Sequence, residues 1–215
     1  MRDTAVAFDP NRPYLISEFG PDGYWDKYLT KYDTEGAILE PPTDQKMISY
    51  ARDWSIYTEG NRGADIGGVA YCWRDRLEKT TTWFGLHDVA GLPKPSFFTL
   101  EKLWTGSTEE TPRCITRLVC SAAAVAPGAT VHASVVTTGA PGEALRYRWQ
   151  LASNDFDLDL GRLHASGEGS AVDVTVPATP GSYRLYVNVS DGHAADEANL
   201  PITVEDAPSA QVSAR

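Results

Sequence analysis

A chain of 215 residues with 42% hydrophobic and 22% charged side chains has the composition of a globular protein, with room for one large domain or two small ones of about 100 to 150 residues each. A complete eight-stranded α/β barrel, at about 250 residues, does not fit. The net charge of −10 opposes a phosphate backbone or an anionic membrane surface, both of which demand a concentrated positive field, so neither nucleic acid nor membrane is an expected partner.

The first predicted element is a short apolar strand at 14–17 that ends in Glu18-Phe19-Gly20-Pro21. A helix follows over 43–58, with Thr43 as its cap and Met47, Ile48, Ala51, Trp54 and Ser55 along one stripe. Residues 66–73, Ile-Gly-Gly-Val-Ala-Tyr-Cys-Trp, read as a second strand without alternation, as a parallel strand covered on both faces requires. A short helix over 97–104 follows Pro93-Lys94-Pro95. The order strand, helix, strand, helix amounts to two βα units. Helix breakers and small polar residues collect at 105–112, and composition changes there: five of the six tryptophans and every lysine lie before Ser107.

Beyond that joint, β-rich runs at 115–121, 130–137, 144–151, 171–176, 182–190 and 198–204 are separated by turn formers such as Pro127-Gly128, Pro141-Gly142, Pro180-Gly181 and Asp191-Gly192. Their period is two: Leu145, Tyr147, Trp149 and Leu151 form one face while Arg146 and Arg148 stay wet, and Tyr183, Leu185, Val187 and Val189 repeat the phase opposite Arg184, Tyr186 and Asn188. Six such strands predict an immunoglobulin-like sandwich. Over 112–206 the pattern resembles accessory domains of the PKD and fibronectin type III kind. The expected fold class is therefore α/β plus all-β, divided as 1–107, a linker at 108–111, the sandwich at 112–206 and a disordered tail at 207–215.

The ordered set Ser17-Glu18-Phe19-Gly20, Pro21-Asp22-Gly23-Tyr24-Trp25, a strand ending at Trp73, Trp83-Phe84-Gly85-Leu86-His87-Asp88 and Gly91-Leu92-Pro93-Lys94-Pro95 resembles the end of the catalytic barrel in retaining glycoside hydrolases of clan A, most like the family 2 type. The resemblance spans about 13–104 and implies that these are the last two βα units of a (β/α)8 barrel. It implies Glu18 as catalytic nucleophile and Trp73 as a sugar platform; the loop aromatics Tyr24, Trp25 and Trp83 are further candidates to lie against pyranose rings. Retaining hydrolysis needs a carboxylate below the anomeric carbon and a second carboxyl about 5 to 5.5 Å away to protonate the leaving oxygen. The family's acid lies in an Asn-Glu pair, a dipeptide that this sequence lacks. The resemblance thus makes the chain the C-terminal piece of a larger β-glycosidase, from a truncated gene, a start assigned at an internal methionine or a split enzyme, inactive alone and partnered by the missing barrel portion.

From the residues alone, Glu18 reads as a helix or turn carboxylate answering a nearby arginine before it reads as catalytic, Trp73 is equally a core residue, and Tyr24, Trp25 and Trp83 read as packing or rim residues. The competing function is a noncatalytic carbohydrate-binding, protein-binding or spacer module built on the sandwich. No cofactor or metal is expected: His87, His132, His164 and His193 lack ligand spacing. Asp155, Asp157 and Asp159 open like a calcium loop, but Leu160 stands where glycine is needed and Ser166 where the bidentate glutamate belongs. Three cysteines, Cys72, Cys114 and Cys120, imply no disulfide framework. Asn188-Val189-Ser190 is a sequon inside a predicted strand and carries little weight. Met1-Arg2-Asp3-Thr4 leads into polar sequence, so no export signal is read here, although the resemblance implies export for the intact enzyme.

Overall fold

The computed structural model describes residues 7, 9, 11–108, 114–138, 144–154 and 169–205. The predicted linker beyond residue 108, the acidic stretch 155–161, the turn at 141–142 and the tail at 207–215 lie outside them. Strand β1 (Tyr14–Phe19) is followed by a hairpin of two-residue strands, β2 (Lys31–Tyr32) and β3 (Ile38–Leu39), then helix α1 (Thr43–Asp53), β4 (Asp65–Ala70) and α2 (Pro95–Thr105). β1 and β4 pair in parallel, with Ile16 opposite Gly68 and Phe19 opposite Ala70. Ile16 and Phe19 turn toward the helices and pack with Tyr50, Leu86 and Leu100. α2 begins at Pro95, whose missing N–H costs nothing in the first turn, and stops at Gly106, whose left-handed φ of 72° lets its N–H reach the Lys102 carbonyl.

Two helical expectations are corrected. α1 ends at Asp53 and runs on as a π turn (Trp54–Thr58) and a 3-10 turn (Glu59–Asn61). Its buried face is Thr43, Lys46, Ser49, Tyr50 and Asp53, whereas Ile48, in the apolar stripe, is exposed. Thr43 does not cap the helix; its hydroxyl donates to Asp196 Oδ1 at 2.7 Å, a residue of the sandwich. The second strand stops at Ala70, and Ile66 and Val69 are exposed together with Leu15 of β1, so this sheet is covered on one face instead of two. No helix among the described residues is long and apolar enough to cross a membrane.

The remaining strands are β5 (Ile115–Cys120), β6 (Ala124–Val125), β7 (Thr130–Thr137), β8 (Arg146–Ser153), β9 (Ala171–Thr175), β10 (Gly181–Ser190) and β11 (Ala195–Val204). They form two sheets, β5-β7-β9 and β6-β11-β10-β8. All pairings are antiparallel except the short parallel contact of β6 with β11. This is an immunoglobulin-like sandwich, with Trp149 buried between the sheets among Val131, Val135, Leu151, Val174, Leu185, Val187 and Ile202. Each such aliphatic side chain contributes about 1.5 to 3 kcal/mol on full burial.

The outer face of the four-stranded sheet is where alternation misleads. Arg184, expected opposite the core, is wholly buried, because that face packs on the N-terminal portion. Its guanidinium donates to Asn154 Oδ1 at 2.9 Å, Asn199 Oδ1 at 2.6 Å and the Ile38 carbonyl at 2.6 Å. Beside it, Glu40 accepts from Lys46 and from Thr80, Thr82 and Asn199. A second buried cluster centres on Lys94, whose ammonium reaches Asp75 at 2.7 and 2.9 Å, the Thr82 carbonyl at 3.2 Å and Glu197 of β11 at 3.5 Å. Asn188 bridges Asp88 and Glu197, both at 3.0 Å.

These groups titrate as burial dictates. Burial raises Asp75 to about 9 against the opposing pull of Lys94, and raises Asp196 to about 6. Burial alone would lower Lys94, but the Asp75 and Glu197 carboxylates hold it ionised. A carboxyl whose folded pKa lies above its unfolded value stabilises the fold fully below about pH 4, and loses that contribution as pH rises through the folded value. The denaturation midpoint is therefore expected to fall between about pH 5 and about pH 9, and Asp75→Asn should flatten the decline. Lys94→Met, which leaves the buried Glu197 carboxylate without its cation, should cost about 3 to 5 kcal/mol at about pH 7 by chemical denaturation, and less at about pH 5.

Candidate functional site

An open cavity of about 650 Å³ lies at the C-terminal ends of β1 and β4, lined by Glu18, Asp22, Trp25, Asp53, Tyr71, Arg76, Glu78 and Phe84 among others. Glu18 is the penultimate residue of β1, and its side chain is exposed to this space. A parallel strand delivers its last side chains to the crevice beyond its carboxyl end, which is why the position is reachable by a ligand at all. Among the described residues no cation lies within ion-pairing distance of Glu18, unlike the cavity's other three carboxylates.

The far wall is the irregular segment after β4. Tyr71 donates its hydroxyl to Glu78 at 2.6 Å, and Arg76 donates to Glu78 at 3.3 Å and to the Tyr71 hydroxyl, with its guanidinium 5.4 Å from the centre of the Tyr71 ring. Burial, then the neighbouring Glu78, pushes Tyr71 up to about 12, so it remains a donor. On the near side Arg52 binds Asp53 at 2.8 Å and Asp22 at 3.2 Å. The segment 71–94 is held by backbone bonds, such as the Leu86 N–H to the Cys72 carbonyl at 2.9 Å and the Asp75 N–H to the His87 carbonyl at 2.9 Å, and by side chains. The buried Tyr50 hydroxyl meets the Tyr71 and Phe84 carbonyls, the Gly85 N–H meets Asp75 Oδ1 at 3.0 Å, and Lys94 fixes Asp75 from beneath.

Of the aromatics expected at the site, Trp25 lines the cavity. It is 64% exposed and stacks one face on Phe84 at 5.7 Å between centroids and 25° between planes. Gly23 makes that pose possible: a Cβ there would stand 2.3 Å from the Trp25 indole. Trp83 is a correction. It is 2% exposed, its Nε1 donates to the Asp22 carbonyl at 3.1 Å, and it packs edge-on against Tyr24 outside the lining of this cavity. Tyr24 is half-buried, edge-on to Trp25 and Trp83, and does not line the cavity. Trp73 is 69% exposed but lies outside the cavity lining, its ring over His87 at 4.3 Å. Of the expected site residues, Glu18 and Trp25 line this cavity together, and Trp73, Tyr24 and Trp83 do not.

Asp22, Asp53, Tyr71, Arg76 and Glu78 were not singled out from sequence. The signal that could have found some of them is the charged run Arg74-Asp75-Arg76-Leu77-Glu78 directly after a strand end. Among the described residues no group of His, Cys, Asp and Glu is arranged to hold a metal ion.

No protein-family model matches the chain, and no curated protein does. Similar solved structures include the PKD domain of human KIAA0319, 23% identical, covering 50% of this chain and 98% of that one at a TM-score of 0.33. A calcium-binding mutant of Bacteroides uniformis beta-glucuronidase 2 is 12% identical over 96% of this chain, at a TM-score of 0.32. The endo-beta-1,4-mannanase of Thermotoga petrophila is 10% identical over 96%, at 0.28. This chain spans 23% of that glucuronidase and 42% of that mannanase. At such TM-scores these likenesses carry no argument about function.

The packing of Trp25 yields a direct test of the cavity wall. Gly23→Ala should drive the indole off Phe84, changing the near-ultraviolet circular dichroism of the aromatic cluster, and cost about 1 to 3 kcal/mol of stability through overpacking. An unchanged spectrum would refute the close approach.

Proposed function

We propose that this chain is the C-terminal portion of a retaining β-glycoside hydrolase, contributing two βα units, the nucleophile Glu18 and a Trp25 platform, with the sandwich bolted behind them. The observation that carries the reading is Glu18: a strand-end carboxylate, open to a cavity that an exposed indole also lines. Double displacement needs such a carboxylate to attack the anomeric carbon, forming an ester as the aglycone oxygen departs with a proton from a second carboxyl.

Further βα units would complete the sheet. Leu15, Ile66 and Val69 lie exposed on the face of β1 and β4 turned away from the helices, and among the described residues each of these strands has one neighbour. An apolar face and two bare parallel edges are the signature of a sheet that continues. The general acid would come with those units, so the chain by itself protonates no leaving group. A carbohydrate-binding module built on the sandwich is less well supported, since the sandwich's tryptophan, Trp149, is in its core.

A substrate that needs no acid isolates the nucleophile. Incubated with a dinitrophenyl β-glycoside of glucose, galactose or mannose fluorinated beside the anomeric carbon, the chain should gain the mass of one fluoroglycosyl group on the peptide that holds Glu18. Glu18→Gln should gain none. Labelling elsewhere, or equal labelling of both proteins, would remove Glu18 from the role.

A further inference from the structure

We infer that the sugar seated in this cavity is a neutral pyranoside, and that Glu78, held by Tyr71 and Arg76, reads its hydroxyls while uronic and sulfated sugars are turned away. The inference rests on the saccharide reading above and adds the chemical class of the ligand. Four carboxylates, Glu18, Asp22, Asp53 and Glu78, line the space. The two guanidiniums at its walls are already engaged, Arg52 by Asp22 and Asp53, and Arg76 by Glu78. Glu18 has no cation beside it among the described residues, so the uncompensated charge in the cavity is negative.

An acidic sugar requires a fork of donors for its own carboxylate or sulfate. Arg76 is the guanidinium that lines the space, and to clamp a ligand's acid it would have to release Glu78. That carboxylate would then stand uncompensated beside the newcomer, while Glu18 repels it from the other side. At separations of a few ångströms, such like-charge contacts oppose binding strongly. A neutral ring makes the opposite demands. Its apolar face lies on an indole, and Trp25 presents one face outward while Phe84 supports the other. Its hydroxyls need fixed acceptors and donors. Glu78 keeps acceptor capacity beyond its bonds to Tyr71 and Arg76, and those bonds fix its orientation before a ligand arrives.

The full chain labelled with nitrogen-15, titrated with the methyl β-glycosides of glucose, galactose and mannose and with methyl β-glucuronide, decides the matter. At least one neutral glycoside should move the indole resonance of Trp25 and the amide of Glu78, with the glucuronide at least about tenfold weaker. Glu78→Gln should weaken the neutral glycoside several-fold while leaving the remaining amide resonances in place, which separates lost recognition from lost folding. Glucuronide binding as tight as or tighter than the neutral sugars would overturn the inference and leave the glycosidase reading standing. Absence of any saccharide response at these residues would sink both.

Discussion

The ammonium of Lys94 is one of the buried polar points, with the bonds of Thr43 to Asp196, Arg184 to Ile38 and Asn199 to Glu40, at which the two portions of the chain join. It is buried, touches both oxygens of Asp75 in the segment after β4, and reaches Glu197 on β11 of the sandwich. An ion in that position survives only with its partners around it, so each of the three groups fixes the others. Asp75 in turn accepts the Gly85 N–H, and Thr82, whose carbonyl Lys94 also contacts, donates to Glu40. The network therefore continues from the sandwich, through the irregular segment, to the α1 side of the molecule without a gap.

That continuity bears on the cavity. Tyr71, Arg76, Glu78 and Phe84 form one of its walls, yet their segment has isolated bridges, such as Arg74 with His87, in place of strands. Its backbone bonds, from Cys72 to Phe84 and from His87 to Trp73 among others, are joined there by side chains and by the neighbouring domain. Here the sandwich supplies part of that support. The sandwich is then a buttress for that wall of the cavity, and its outer sheet face is polar where it meets polar groups.

How much of this was legible in the sequence depended on the range of the forces involved. β7, β8 and β10 announce themselves by alternation because their core partners lie within one domain; Trp149 and Leu151 fall inside as their phase requires. Arg184 obeys the same alternation yet is buried, because the Ile38 carbonyl that it meets is distant in sequence and Asn199 belongs to the neighbouring strand. The face that α1 buries, Thr43, Lys46, Tyr50 and Asp53, keeps helical spacing but is largely polar, so a search for apolar stripes selects the exposed side with Ile48. The two-residue strands β2 and β3 are too short to carry a period. Within the site, Glu18 was singled out by the family resemblance, and its place near the end of a strand is what leaves it open to the cavity. The separation of Trp25 from Trp83, one open and one buried, was not legible, since composition treats all tryptophans alike.

Amide hydrogen exchange on the Glu197→Gln protein tests most directly whether the sandwich holds the cavity wall. The amides of Cys72, Gly85, Leu86, His87 and Lys94, each bonded within the segment, should exchange together at least about tenfold faster, while Val131 and Val187 in the sandwich core keep their protection. Unchanged exchange in that segment, or equal loosening of core and wall, would contradict the account.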